Sequence, residues 1–159
     1  MTLSIRPART GDEDTIFSLL HALAEYEKLL DRFHVTKAVI ARDYLCAQPR
    51  IQCDLAFEGG KPVGVATWYW NYSSFTAERG IYLEDLFVPP EFRGKGYGKA
   101  LLAHLAKTAV KNGGGKVEWS VLPWNKPSID FYEGLGAKQM TDWLIYRVTG
   151  EALEDLADC

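Results

Sequence analysis

The stretch Glu91-Phe92-Arg93-Gly94-Lys95-Gly96-Tyr97-Gly98-Lys99-Ala100 decides the reading of this chain, because of what stands on either side of it. Before it, Ile81-Tyr82-Leu83-Glu84-Asp85-Leu86-Phe87-Val88 is a strand-forming run that ends at Pro89-Pro90, two residues with no N–H for a ladder. After it, Leu101, Leu102, Leu105, Ala109 and Val110 recur at helical spacing until Gly113-Gly114-Gly115 stops them. The segment is therefore a glycine loop between a strand and a helix. Glycines at alternate positions allow a tight turn whose N–H groups converge with no side chains in the way, and the helix N-terminus adds its positive end. Arg93, Lys95 and Lys99 supply further charge, so the loop reads as a pyrophosphate cradle.

Two better-known phosphate loops do not fit. A dinucleotide fingerprint needs glycine at 99 or 101, where Lys99 and Leu101 stand. A Walker loop ending at Gly98-Lys99 needs glycine where Arg93 stands and a hydroxyl residue where Ala100 stands.

Working outward, Ile5-Arg6-Pro7 ends a short first strand, and polar residues 10–14 precede Ile16, Leu19, Leu20 and Leu23, one face of a helix. A second helix starts near Thr36 with Val39, Ile40 and Tyr44 on its apolar side. Residues 51–58 and 62–70 are strands joined at Gly59-Gly60, a hairpin signal. Residues 71–79 read as loop. Beyond the glycine triplet, residues 116–122 form a strand, 127–135 a short helix closed by Gly136, and 144–148 a last strand before an acidic tail helix. This order makes one mixed α/β (α+β) domain over residues 1–159. Its sheet is largely antiparallel, with one parallel strand–helix–strand unit over residues 81–122.

Composition narrows the function. The chain has 159 residues, 47% of them hydrophobic, enough for one packed core. A net charge of −3 from 18 basic and 21 acidic residues gives no footprint for nucleic acid and suits a cationic small molecule. Cys46, Cys53 and Cys159 follow no disulfide or zinc spacing, which points to a reducing cytoplasm and no metal. No apolar run approaches the roughly 18 residues of a membrane span.

Arg93-Gly94-Lys95-Gly96-Tyr97-Gly98 resembles the acyl-CoA loop, [RQ]-x-x-G-x-[GA], of the GNAT superfamily of N-acetyltransferases. Leu23-Ala24-Glu25-Tyr26-Glu27, Tyr82 to Val88, and Trp124 to Tyr132 look, in the same order, like the diamine (spermidine/spermine) and thialysine acetyltransferases of that superfamily. The resemblance implies a GNAT fold whose fourth and fifth strands, the central parallel pair, splay apart. It implies acetyl-CoA as co-substrate, with the backbone of Leu86, Phe87 and Val88 on the pantetheine arm. Arg93, Gly94, Lys95, Gly96, Tyr97, Gly98 and Lys99 would hold the pyrophosphate, and Asn125 and Ser128 would add cofactor contacts. It also implies a homodimer.

By the same resemblance Tyr132 is the acid that protonates the departing thiolate, and Tyr26 and Glu27 lie near the substrate. Glu84, a carboxylate in an apolar run, is suited to bind the substrate ammonium and take its proton. Asp85 points to the opposite face if the strand is regular. Trp119 is assigned to the substrate pocket wall, and Arg79 is a candidate partner for a substrate carboxylate. His21, His34 and His104 read as structural. The chain departs from polyamine-acetylating relatives at Tyr72-Ser73-Ser74-Phe75 and at Asp142-Trp143, which favours a lysine-like amine over spermine. Two other readings stay beside this one: a polyamine acetyltransferase and a non-catalytic acyl-CoA-binding regulator.

Overall fold

A computed structural model describes residues 2–159. Contacts divide the chain into two compact units, residues 1–120 and 121–159. The first contains strands β1 (Leu3–Pro7), β2 (Gln52–Glu58), β3 (Lys61–Ser73), β4 (Glu78–Phe87) and β5 (Val117–Glu118), with helices α1 (Glu13–Tyr26), α2 (Lys37–Asp43) and α3 (Tyr97–Lys111). The second contains α4 (Lys126–Gly134) and α5 (Glu151–Ala157).

The five strands form one sheet in sequence order, antiparallel throughout except for the parallel pair β4–β5. Gly59 and Gly60 both take positive φ (57° and 78°), which turns β2 directly into β3 with the twist a two-residue hairpin needs. The next connection is shorter than its polar composition suggests. β3 runs on to Ser73 and pairs with Glu78, so the loop expected over residues 71–79 shrinks to four residues, 74–77.

One face of the sheet is covered by α1 and α2. Ile16, Leu19, Leu20, Leu23 and Ile40 pack there with Cys53, Leu55, Val65 and Phe87. Burying each of these large side chains contributes on the order of 1.5–3 kcal/mol, so this layer holds much of the fold. Thr36 begins α2 as the pattern predicts, its Oγ1 accepting from Val39 N at 3.1 Å. At α1 the capping residue has another task. Asp12 uses both carboxylate oxygens on Arg6 (2.7 and 2.9 Å) and accepts from the Arg9 backbone N–H. The Arg6 hydrogen bonds hold the Asp12 carboxyl below its usual range. This ties the end of β1 to the start of α1.

The opposite face carries α3 through Leu101 and Leu105, both fully buried. Gly64 lets the helix close in, since a Cβ there would meet Leu101 Cδ1 at 2.9 Å. Trp68 Nε1 donates to buried Asp54 at 2.7 Å, and His104 on α3 approaches the same carboxylate at 3.4 Å. His21 packs against Phe17 and Phe33. Val110 is 74% exposed and leaves the apolar face of α3 that its spacing suggested.

Two expected strands change. The strand foreseen over residues 116–122 is reduced to Val117–Glu118, paired with Ile81 and Tyr82. Residues 144–148 form no strand, and Trp143, Leu144, Ile145 and Tyr146 are each more than three-quarters exposed. Periodicity records which residues suit a ladder, but a strand exists only where another edge pairs with it.

Candidate active site

β4 and β5 share only two register pairs, after which β4 continues from Leu83 to Phe87 with no β5 partner. The divergence expected of the fourth and fifth strands is therefore present, and it frees the backbone edge of Leu86 and Phe87. Beyond this edge the chain makes a short turn over Pro90–Phe92 and enters the glycine loop.

Gly94 and Gly96 take φ of +78° and +84°, the left-handed region in which a Cβ is strained. A Cβ at either position would meet no atom within 4 Å, so backbone conformation and open space, rather than crowding, call for glycine. Among the described residues, the N–H groups of residues 94–99 donate to no backbone carbonyl. The next, Ala100 N, returns to Gly96 O at 2.9 Å and starts the helical ladder. Six consecutive donors at the positive end of a 15-residue helix suit a multiply charged anion such as a pyrophosphate.

The side chains around the loop divide the work. Tyr97 is 4% exposed, so its ring belongs to the core and only its backbone faces the loop. Gly98 and Lys99 form the first turn of α3, with Lys99 exposed, as Lys95 is. Arg93 turns away from a purely ionic role: its Nε donates to Val88 O at 2.9 Å, and its guanidinium lies 4.7 Å from the Tyr26 ring centre and 5.7 Å from that of Phe87. It clamps the end of β4 to the end of α1, and occupies one lone pair of the Val88 carbonyl.

The register between β3 and β4 shifts at Thr67/Trp68: Thr67 opposes Asp85 and Trp68 opposes Leu83, leaving Glu84 as an extra residue. This bulge cancels the strand alternation. Asp85 does not point away from Glu84. It joins the Cys53–Thr67–Asp85 row that faces α1 and α2, and its carboxylate accepts from Thr67 Oγ1 at 2.5 Å. Glu84 and Glu27 consequently both feel the Asp85 charge. Burial and the Asp85 charge raise the carboxyls of Glu84 and Glu27 above the ordinary range. Burial raises Asp85, and the Thr67 hydrogen bond works against that rise. Tyr44, at the end of α2, is pushed up to about 12 by burial and then by the Asp85 charge, with smaller contributions from Cys53, Asp43 and Glu84.

The strand reading thus points to Glu84 and the family resemblance to Tyr26 and Glu27, whereas strict alternation sends Asp85 to the wrong face, and Thr67 and Tyr44 are missed. Their only signal is a threonine and an aspartate in otherwise apolar strands, and a bulge leaves no mark in a single sequence. Arg79 does not join the group. It stacks on Trp70 at 4.5 Å and sits five residues before Glu84, about 17 Å along a strand. Trp119 follows β5 directly and is half-buried.

In the second unit, Asn125 caps α4 and is 7% exposed, Ser128 lies in its first turn, and Tyr132 lies near its end beside Phe131. Among the described residues no cluster of His, Cys, Asp and Glu is arranged to hold a metal ion, and no helix is long and apolar enough to cross a membrane.

Residues 18–137 match the family model described as the Acetyltransferase (GNAT) family. A thialysine N-epsilon-acetyltransferase from Sus scrofa is 36% identical over 164 residues, covering 96% of each chain. An L-ornithine N5-acetyltransferase from Arabidopsis thaliana is 47% identical over 91 residues, 57% of this chain and 40% of that one. Among solved structures, an integron cassette protein from V. cholerae superposes with a TM-score of 0.82 at 24% identity, covering 100% of this chain and 99% of that one, a likeness of fold.

Proposed function

The chain belongs to the acetyltransferase (GNAT) family and is an N-acetyltransferase; on that premise we propose that it moves the acetyl group of acetyl-CoA to a primary amine of a small cationic molecule by direct attack in a ternary complex. The observation that carries this reading is the adjacency, within one unit, of an anion cradle at residues 94–99 and an acidic surface of Glu27, Glu84 and Asp85 beside the free edge of β4.

The residues present fit acetyl-CoA: unpaired N–H groups and open space at Gly94 and Gly96 for a pyrophosphate, and a free strand edge at Leu86 and Phe87 for an extended amide-bearing arm. When bound it supplies an electrophilic thioester carbonyl and a thiolate leaving group. Glu84 attracts the substrate ammonium and accepts its proton, directly or through water, leaving the amine its lone pair. Tyr132 donates the proton the thiolate takes up, while Asn125 and Ser128 contact the cofactor and Tyr26, Glu27 and Trp119 line the amine.

The amine we assign is lysine-like, as in the thialysine and ornithine acetyltransferases to which the chain is similar. With acetyl-CoA as donor, thialysine or a lysine analogue is expected to show a higher kcat/KM than spermidine. Efficient spermine acetylation with no activity on lysine analogues would overturn the choice, and activity only on protein N-termini would overturn the substrate class. Gly96→Val in the same assay should weaken acetyl-CoA at least about tenfold, since valine is strained at φ +84° and its methyls occupy the approach to the loop. Unchanged affinity by calorimetry in a folded variant would remove the loop from cofactor binding.

One observation favours a second reading. With Arg79 stacked far along β4, the cation assigned to an amino acid's carboxylate is gone, and the acids Glu27, Glu84 and Asp85 suit a diamine or polyamine. The same panel decides between them. We also propose a homodimer, supported by the exposed apolar strip at residues 143–146, which a second copy would cover; a purely monomeric species in sedimentation would refute it.

A further inference from the structure

β3 carries one hydroxyl that the sheet buries completely. Thr67 is 0% exposed in the run Val63-Gly64-Val65-Ala66-Thr67-Trp68, where a valine would occupy the same volume and need no hydrogen bond. Its Oγ1 donates to Asp85 Oδ2 at 2.5 Å, straight across a register pair. The groups that face Asp85 are all acids: Glu27 from the end of α1, Tyr44 from the end of α2, Cys53 from β2 and Glu84 from β4 itself. Among the described residues Asp85 makes no ion pair, so the Thr67 hydroxyl is the donor that stabilises its charge.

A carboxylate in this setting has two choices. It can take up a proton, relieving burial and repulsion together, or it can stay ionised if a donor compensates. The bulge places Asp85 next to Glu84 on one face, so the state of one governs the field at the other. We infer that Thr67 is a positioning residue of the acetyl-transfer site: its hydroxyl holds the Asp85 carboxylate ionised and fixed beside Glu84, so that the pair meets the substrate amine with a negative surface of set geometry. The inference rests on the amine N-acetyltransferase reading of that surface.

Thr67→Val keeps the shape and removes the donor. Asp85 already sits above the usual range through burial, and loss of the hydrogen bond removes the influence that lowers it. Its ionised form should then appear only at higher pH. The acid limb of the kcat/KM profile is expected to move up by about one pH unit or more, the size of one hydrogen bond to a charged group. Thr67→Ser retains the hydroxyl and should restore the wild-type limb even if the lost methyl lowers the melting temperature.

The Asp85 carboxyl, followed by 13C NMR in protein without substrate and assigned through Asp85→Asn, should move by the same amount in Thr67→Val. In the Asp85→Asn background, Thr67→Val should leave the profile where it is. An active enzyme whose acid limb ignores Thr67→Val would overturn the positioning role alone. A shifted Asp85 titration in a protein that acetylates no amine would overturn the site reading, and the role with it.

Discussion

Tyr132→Phe is expected to lower turnover by roughly 10² to 10⁴ while leaving acetyl-CoA affinity within about twofold. A phenol is a weak acid that stays protonated at neutral pH, so its proton is in place when the thiolate forms beside it. Phenylalanine keeps the ring and removes that proton. The helix that carries Tyr132 is short but well delimited. Pro127 stands in its first turn, Asn125 O accepts from Ile129 N at 3.1 Å, and Gly136, at φ 90°, ends the turn that follows. The Phe131–Tyr132 ring contact, 5.4 Å between centres, survives the substitution. Steady-state turnover with a saturating amine, beside calorimetry of acetyl-CoA, separates the two quantities. Near-normal turnover would show that water or another group protonates the thiolate.

Glu84→Gln should lower kcat/KM by about 10² or more for every amine that the enzyme accepts, because it removes both the charge that holds the ammonium and the base that takes its proton. The pH dependence carries a sign that distinguishes this role from packing. Burial, followed by the Asp85 charge, raises the Glu84 carboxyl, so its ionised form is complete only above that raised value. Wild-type activity should fall as the Glu84–Asp85 pair takes up protons, at higher pH than an ordinary glutamate near about 4.3 would give. For stability the sense is opposite. The folded state binds this proton more tightly than the unfolded chain, so the repulsion weighs on the fold above the raised value and is relieved as pH falls. Glu84→Gln should therefore melt slightly higher than wild type at neutral pH while being far less active. A variant that loses stability and activity together would instead mark Glu84 as structural.

What the sequence determines by itself is local. The glycine loop, the helix that it opens, the hairpin at Gly59-Gly60 and the buried stripe of α1 each follow from residues within one or two turns of one another. Their physics is backbone freedom, capping and side-chain periodicity. Family membership is legible for the same reason, since the motifs at Tyr26, Glu84, Gly94 and Tyr132 occur in order along the chain. The tertiary structure decides whatever depends on a second strand. The bulge opposite Thr67 exists only in the register of β3 against β4, and it brings Asp85 to the side of Glu84 where strict alternation separates them. Arg93 becomes a clamp because Tyr26 and Phe87 meet it from two elements. Residues 144–148 have the composition of a strand and remain without one. In each case the deciding energy lies in a contact between residues distant in sequence, a hydrogen bond, a ring face or a ladder edge, and no property of either residue alone announces it.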